Sequence, residues 1–293
     1  MESPRIASGR TLPLAAPRAA LKPQQRSRLY WAISDTIVIA RRNLMHIPRI
    51  PMMLLDVTIQ PIIFVVLFRF VFGGAVNTGP VSYVNYLMPG IFVQTLIFAC
   101  MTTGVGMAED LHRGLIDRFR SLPMAASAVL FGRTTADAVR QILVLVVLSV
   151  TGYVVGWRIN DGVANAVLAY LLLLLFAYTV AWVGAWVGLH MPNPQTASTA
   201  GLIWLFPLTF LSNAFVPLAG MPAVVKTIAE WNPVSTLVLA CRELFGNPTG
   251  IQQDLPGAPW SLQHPEAYTL ISCVVIIAIF SVLAVRKYRR TTA

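Results

Sequence analysis

The residue types that carry covalent and metal chemistry are present in this chain, but not at the spacings such chemistry needs. Its four histidines, at 46, 112, 190 and 264, are scattered. None belongs to a His-Glu-x-x-His pair or to a clustered His/Cys set with zinc spacing. The three cysteines, at 100, 241 and 273, make no disulfide framework. Cys100 and Cys273 lie in apolar runs, where a thiol behaves as a small hydrophobe; Cys241 is a packing residue or a free thiol. No lysine follows a glycine, so the phosphate-cradling loop Gly-x-x-x-x-Gly-Lys-Ser/Thr is absent. No nucleophile, base and orienting group can be assembled into a triad. If nucleotide hydrolysis drives this protein, another chain carries it out.

What the sequence does concentrate is charge, in one run between apolar segments, Glu109 to Pro123. Leu111, Leu115, Phe119 and Leu122 recur at helical spacing and give one apolar face. Arg113, Asp117 and Arg120 fall on the other side. Glu109 and Asp110 stand first and the arginines follow, the order a helix dipole favours, and Pro123 stops the helix. The run is too short and too polar to span a bilayer. It reads as a short helix at a membrane surface; a solvated loop rich in positive charge would show the same residues.

The elements around it are apolar. Of 293 residues 56% are hydrophobic and 12% are charged, with mean hydropathy +0.66. A soluble domain carries about 25% charge. The pattern predicts an all-α polytopic membrane protein with six transmembrane helices, over about 53–72, 86–107, 141–157, 163–190, 199–217 and 267–285. A disordered basic tail, 1–28, precedes a single membrane domain, 29–293. The tail lacks the apolar core of a signal peptide. An amphipathic stretch over 29–50 reads as an interfacial helix. Two short amphipathic patterns, around Val224 to Trp231 and Leu237 to Phe245, fill the interval between the last two spans and are broken by Asn232-Pro233.

Few polar groups enter these spans. Gln60-Pro61 lies in the first, with Asp56 and Arg69 near its opposite ends, where each can reach an interface. In the second, Gln94, Phe98, Met101 and Val105 share a face, with Thr95 and Thr102 beside it. Gln60, Phe64, Gln94, Phe98 and Thr102 are the candidate path residues; a polar side chain in a bundle more often bonds a neighbouring helix. Before the third span, Arg133, Asp137 and Arg140 are spaced for same-face ion pairs. Gly152-x-x-x-Gly156 and Gly184-x-x-x-Gly188 permit close helix approach. Spans two to six, ends excluded, hold no Asp or Glu on these boundaries. Eighteen of the 22 Lys and Arg residues fall on the side of the termini and of the 109–123 run, against three on the other. By the positive-inside rule both termini and the charged run are cytoplasmic, in a cell membrane. Basic residues clustered beside membrane segments, rather than on a free face, argue against nucleic acid.

A resemblance rests on the wording of this region. Met88-Pro89-Gly90-Ile91-Phe92 with Gln94, then Thr103-Gly104-Val105-Gly106, then Ala108-Glu109-Asp110-Leu111, and Ile116-Asp117-Arg118-Phe119-Arg120-Ser121-Leu122-Pro123-Met124 form a long, specific pattern. Weaker likeness covers roughly 30–290, including Gln60-Pro61, Phe72-Gly73-Gly74 and Asn232-Pro233-Val234. In these residues the chain resembles the permease subunit of bacterial ABC-2 type exporters, of the daunorubicin- and doxorubicin-resistance kind. The resemblance implies that a short cytoplasmic coupling helix docks into a separate ATPase subunit. It would place Leu111, Arg113, Leu115, Asp117, Arg118, Phe119, Arg120 and Leu122 at that contact. It also implies outer-leaflet half-helices before the last span and a homodimer or a heterodimer with a similar permease. ATP and magnesium would sit on the partner, and this chain would bind no cofactor or metal.

The reading is a non-enzymatic transport subunit, moving a hydrophobic or amphipathic drug, antibiotic or lipid-like compound outward. The alternatives are an ion-coupled secondary transporter, which calls for ionisable groups at the midplane, and a membrane assembly factor or embedded enzyme.

Overall fold

The computed structural model describes residues 51–73, 81–114, 126–248 and 258–291. The tail 1–28, the amphipathic stretch 29–50 and residues 115–123 of the charged run lie outside the described residues. Every element among the described residues is helical. In chain order they are α1 (Pro51–Phe72), α2 (Tyr83–His112), α3 (Ala126–Val155), α4 (Gly162–Gly188) and α5 (Pro194–Phe210). A 3-10 turn (Leu218–Gly220), α6 (Ala223–Glu230), α7 (Pro233–Leu244), α8 (Trp260–Gln263) and α9 (Pro265–Thr291) follow.

Four of these helices are long and apolar enough to cross a membrane: α2, α3 from Leu130, α4, and α9 to Arg290. Of the other two expected spans, α1 contributes the apolar run Ile62–Val71. The other, α5, has 17 residues, short of the ~20 that cross the hydrocarbon core.

The central helix is α2, buried along most of its length from Tyr83 to Ala108. Its approach to α4 is set by glycines. A Cβ on Gly188 would overlap the Gly104 carbonyl, and one on Gly184 would overlap that of Cys100. The spacing Gly184-x-x-x-Gly188 therefore serves contact within this chain. At Gly152 a Cβ would run into the Met88 side chain, whereas Gly156, at φ +106°, ends α3 in a turn. All three cysteines are buried, including Cys241.

The far end of the bundle is stitched by side chains that replace missing helical hydrogen bonds. Expected to run to 217, the fifth span stops at Phe210. Pro207 lies in its last turn, and a proline donates no N–H. The Asn232 amide donates to the carbonyls of Leu208 and Leu211, both at 2.8 Å, and its oxygen accepts the N–H of Val234 at 2.9 Å. One residue thus closes α5 and caps α7. The Arg158–Asp161 turn is tied to the end of α7: the Asn160 N–H meets the Phe245 carbonyl at 2.9 Å, and the Asn247 amide meets the Arg158 carbonyl at 2.9 Å. Beneath it Trp157 packs edge-on against Phe245 and Phe92, with ring centroids 5.0 and 5.4 Å apart.

Two boundaries differ from the sequence reading. The third span does not begin at Gln141; α3 is continuous from Ala126, so Arg133, Asp137 and Arg140 lie inside a membrane-length helix. Between Gly132 and Gly152 no proline or glycine interrupts it. Nor does a new helix begin at Glu109. Glu109, Asp110 and Leu111 form the last turn of α2, which stops where Gly114 adopts φ +65° and its N–H meets the Leu111 carbonyl at 3.1 Å. The two carboxylates thus face the negative end of a helix dipole, and ion pairs offset that placement.

Substituting Gly188 by Val will force α2 and α4 apart and cost about 1–3 kcal/mol. Gly220→Ala, where nothing lies within 4 Å, will leave stability unchanged. Thermal unfolding of the two purified variants in detergent checks the contrast.

Candidate functional site

Midway along the helices lies a cavity of about 250 Å³. Gln60 and Phe64 of α1, Gln94, Phe98 and Thr102 of α2, and Phe206 and Phe210 of α5 line it, with Arg140, Gln141 and Val144 of α3. All five residues assigned to a path from the sequence thus border one space. Gln94, Phe98 and Thr102 do so because they are four apart, nearly one helical turn each. Gln60 and Phe64 repeat the spacing on α1.

One wall is aromatic. Phe98 meets Phe206 edge-on at 5.4 Å, and Phe206 stacks on Phe210 at 5.7 Å. Phe210 approaches Phe215, which stacks on Phe68 of α1 at 4.8 Å. Polar groups alternate with these rings along α2. Gln94 is buried, and the Thr102 hydroxyl donates to its own helix at the Ala99 carbonyl, 2.6 Å away. Arg140, read from the sequence as an ion-pairing residue, and Gln141 also border the cavity, a role the sequence did not assign to either. Starting the third span at Gln141 had left Arg140 at an interface. The available signal was an Arg-Gln pair followed directly by an unbroken apolar helix.

A second polar cluster lies at the base of α2 and α3. Arg133 forms an ion pair with Asp110, with both side chains about one-fifth exposed. The sequence allowed Arg133 to pair with Asp137 along its own helix; instead it reaches across to α2. The Asp137 carboxylate accepts the Thr103 hydroxyl of α2 at 2.7 Å. Space for the guanidinium comes from Gly106, where a Cβ would overlap Arg133. Glu109 pairs with Arg113 one turn along. Leu111 packs on a cluster that includes Met107, Leu130, Trp182 and Tyr288. Of the residues assigned to a docking contact, Leu111 and Arg113 therefore end α2, Leu111 partly buried and Arg113 exposed. Leu115, Asp117, Arg118, Phe119, Arg120 and Leu122 lie outside the described residues.

The cavity thus lies among four helices, of which α2 and α3 are long enough to cross a membrane, and those two are joined at their base by the Arg133–Asp110 pair. Residues 34–245 match the ABC-2 type transporter family. The chain belongs to that family. Its relatives include a daunorubicin resistance ABC transporter permease protein from Streptomyces coeruleorubidus, 31% identical over 94% of this chain and 93% of that one. A doxorubicin resistance ABC transporter permease protein of Mycobacterium tuberculosis is 28% identical, over 78% of this chain and 80% of the relative. A putative transport permease of Porphyra purpurea is 24% identical over 74% and 76%. The ABC-2 permease is therefore a multi-pass membrane protein with bacterial homologues among drug-resistance permeases. The family supplies the transport subunit rather than a catalytic one and normally works with an ATPase subunit.

Because Gly106 and Arg133 share one space, their substitutions will not add. Arg133→Gln leaves Asp110 without its partner and will destabilise the permease by about 1–3 kcal/mol. Gly106→Ala will do the same by displacing the guanidinium, and the double variant will be little worse than either single one. A double-mutant cycle on thermal unfolding reads this directly.

Proposed function

We propose that this permease forms the transmembrane half of an ATP-driven exporter that moves a hydrophobic or amphipathic compound out of the cytoplasm or inner leaflet. A separate subunit binds ATP and magnesium. The observation that carries the reading is the cavity, which combines an aromatic wall on α2 and α5 with amides and hydroxyls on α1, α2 and α3. Such a surface suits a cargo with an apolar body and a few polar groups. The drug-resistance names of the relatives are consistent with it. In this reading six helices span the bilayer, α1 and α5 included, the eighteen-to-three charge bias sets both termini in the cytoplasm, and α6 and α7 lie in the outer leaflet. Two copies, or this chain and a similar permease, complete the pathway within a lipid bilayer.

Leu111–Leu122 transmits the motion. Closure of the ATPase pair pushes on this connection. The push reaches α2 through its last turn and α3 through Arg133 and Asp110. The α2 and α3 segments that border the cavity belong to the same two helices, so movement at the base changes its shape. An ion-coupled transporter would export without an ATPase, which the first experiment separates.

Cells expressing the permease with its partner ATPase will accumulate less of a hydrophobic dye than cells expressing either alone. Phe98→Ala removes one ring of the aromatic wall and will raise the KM for export about tenfold, the effect of 1.4 kcal/mol. Unchanged accumulation across a panel of hydrophobic compounds, with export of small hydrophilic anions, would contradict the cargo class.

Leu115→Asp will place a charge on the apolar face of the connection. It will reduce the ATPase that copurifies with a tagged permease and abolish export, while membrane insertion remains normal. Asp117→Arg or Arg118→Glu alone will do less, because exposed ion pairs contribute only about 0–1 kcal/mol. Normal recovery and normal export in Leu115→Asp would remove this connection from the coupling path.

A further inference from the structure

The cavity carries more selectivity than an apolar pocket requires, and the source is α3. Arg140 lines it, and among the described residues its guanidinium forms no hydrogen bond or ion pair. The nearest carboxylate along the helix, Asp137, is turned to the Thr103 hydroxyl, while the carboxylate of Asp110 is taken by Arg133. Next to Arg140, Gln141 is 5% exposed, and its amide oxygen has no hydrogen-bond partner among the described residues. A buried unpartnered amide is costly to leave unsatisfied, so a group that completes it is favoured. Gln94, 6% exposed, borders the same space.

These groups make one kind of site. A guanidinium stays charged at any physiological pH and presents a planar fork of donors that matches a carboxylate or phosphate. The amide of Gln141 adds an oxygen for a donor or, turned over, an N–H for an acceptor. No carboxylate borders the cavity. A cation in the cavity would meet Arg140, while the carboxylate one turn away, Asp137, stays outside the lining and accepts the Thr103 hydroxyl. The aromatic rings stand on α2 and α5 and Arg140 on α3, so the cargo's apolar body and its head are directed to different helices.

We propose that the cavity selects amphiphiles with an anionic head, carboxylate or phosphate, bound by Arg140 with Gln141 beside it, and disfavours cationic amphiphiles of the same body. The proposal rests on the cavity being the cargo site. The ligand chemistry is shared by an exported acid and by the headgroup of an anionic membrane lipid.

The test uses one body with three heads: 11-(dansylamino)undecanoic acid, its methyl ester, and its choline ester. Binding is followed by dansyl fluorescence to the full-length permease in phosphatidylcholine nanodiscs, with the partner ATPase present. The acid will bind at least about tenfold more tightly than the choline ester. Arg140→Gln will remove that preference and leave binding of the methyl ester unchanged, while Arg140→Lys will retain it in part. Phe98→Ala will weaken all three probes alike. Equal binding of acid and choline ester, both sensitive to Phe98→Ala, would overturn the head-group assignment and leave the cavity reading standing. Binding that responds to neither Phe98→Ala nor Arg140→Gln would overturn both. Phosphatidylglycerol in the discs separates the sources: displacement of the acid assigns the site to lipid headgroups, and no displacement assigns it to free amphiphiles. Arg140→Lys and the unchanged methyl ester show that loss of preference is not loss of fold.

Discussion

Arg242 has no surface in water, and the ends of three segments depend on it. Its Nε donates to the Tyr86 carbonyl at 3.0 Å, and one terminal nitrogen donates to the carbonyls of Asn213 and Ala214 at 2.9 and 3.3 Å. The guanidinium lies 3.6 Å from the centroid of the Tyr86 ring, whose hydroxyl also donates to the Asn213 carbonyl at 2.9 Å. Moving a charge out of water costs several kcal/mol. Here carbonyl dipoles and an aromatic face take the place of water, with no acid among these partners. The result joins α7, the head of α2 and the turn after α5. A Cβ on Gly90 would overlap the Ala214 carbonyl, so backbone contact of α2 with the same turn is part of the arrangement.

That joint determines the cavity. The turn at Asn213 and Ala214 fixes where α5 ends, and Phe206 and Phe210 in its last turns form the aromatic wall. Asn232 holds the final carbonyls of α5 from the other side. The position of Phe206 against Phe98 therefore follows from interactions at the Arg242 end. At the opposite end Asp110 and Arg133 join α2 to α3. Between these two fixed ends the helices carry mostly apolar contacts, which permit small relative shifts more readily than buried ion pairs do.

Several motif residues acquire physical reasons in this setting. Gly90 makes room for a carbonyl, Gly104 for the backbone of α4, and Gly106 for the Arg133 side chain. Asn232 with Pro233 closes one helix and starts the next. Gly114 ends α2 in the middle of the charged run. Among the described residues, these parts of the family wording mark close approaches and helix ends within one bundle.

The sequence by itself determined the class, the break at Asn232-Pro233, and the family. Apolar runs, charge placement and turn residues are local properties, and the bilayer reads them locally. It also grouped Gln60, Phe64, Gln94, Phe98 and Thr102, because a shared helical face is a matter of period. Only the tertiary structure decided which helix faced which. Arg133 had a partner available at helical spacing and took another across the bundle, since Gly106 left space there. Arg242 counted as an outer-loop cation in the sequence and is buried, because the carbonyls that solvate it come from residues 28 to 156 positions away. Arg140 looked interfacial and borders the cavity, because α3 does not break where its polarity changes. Periodicity assigns a residue to a face; what that face meets is set by groups distant in the chain, and no local pattern encodes them.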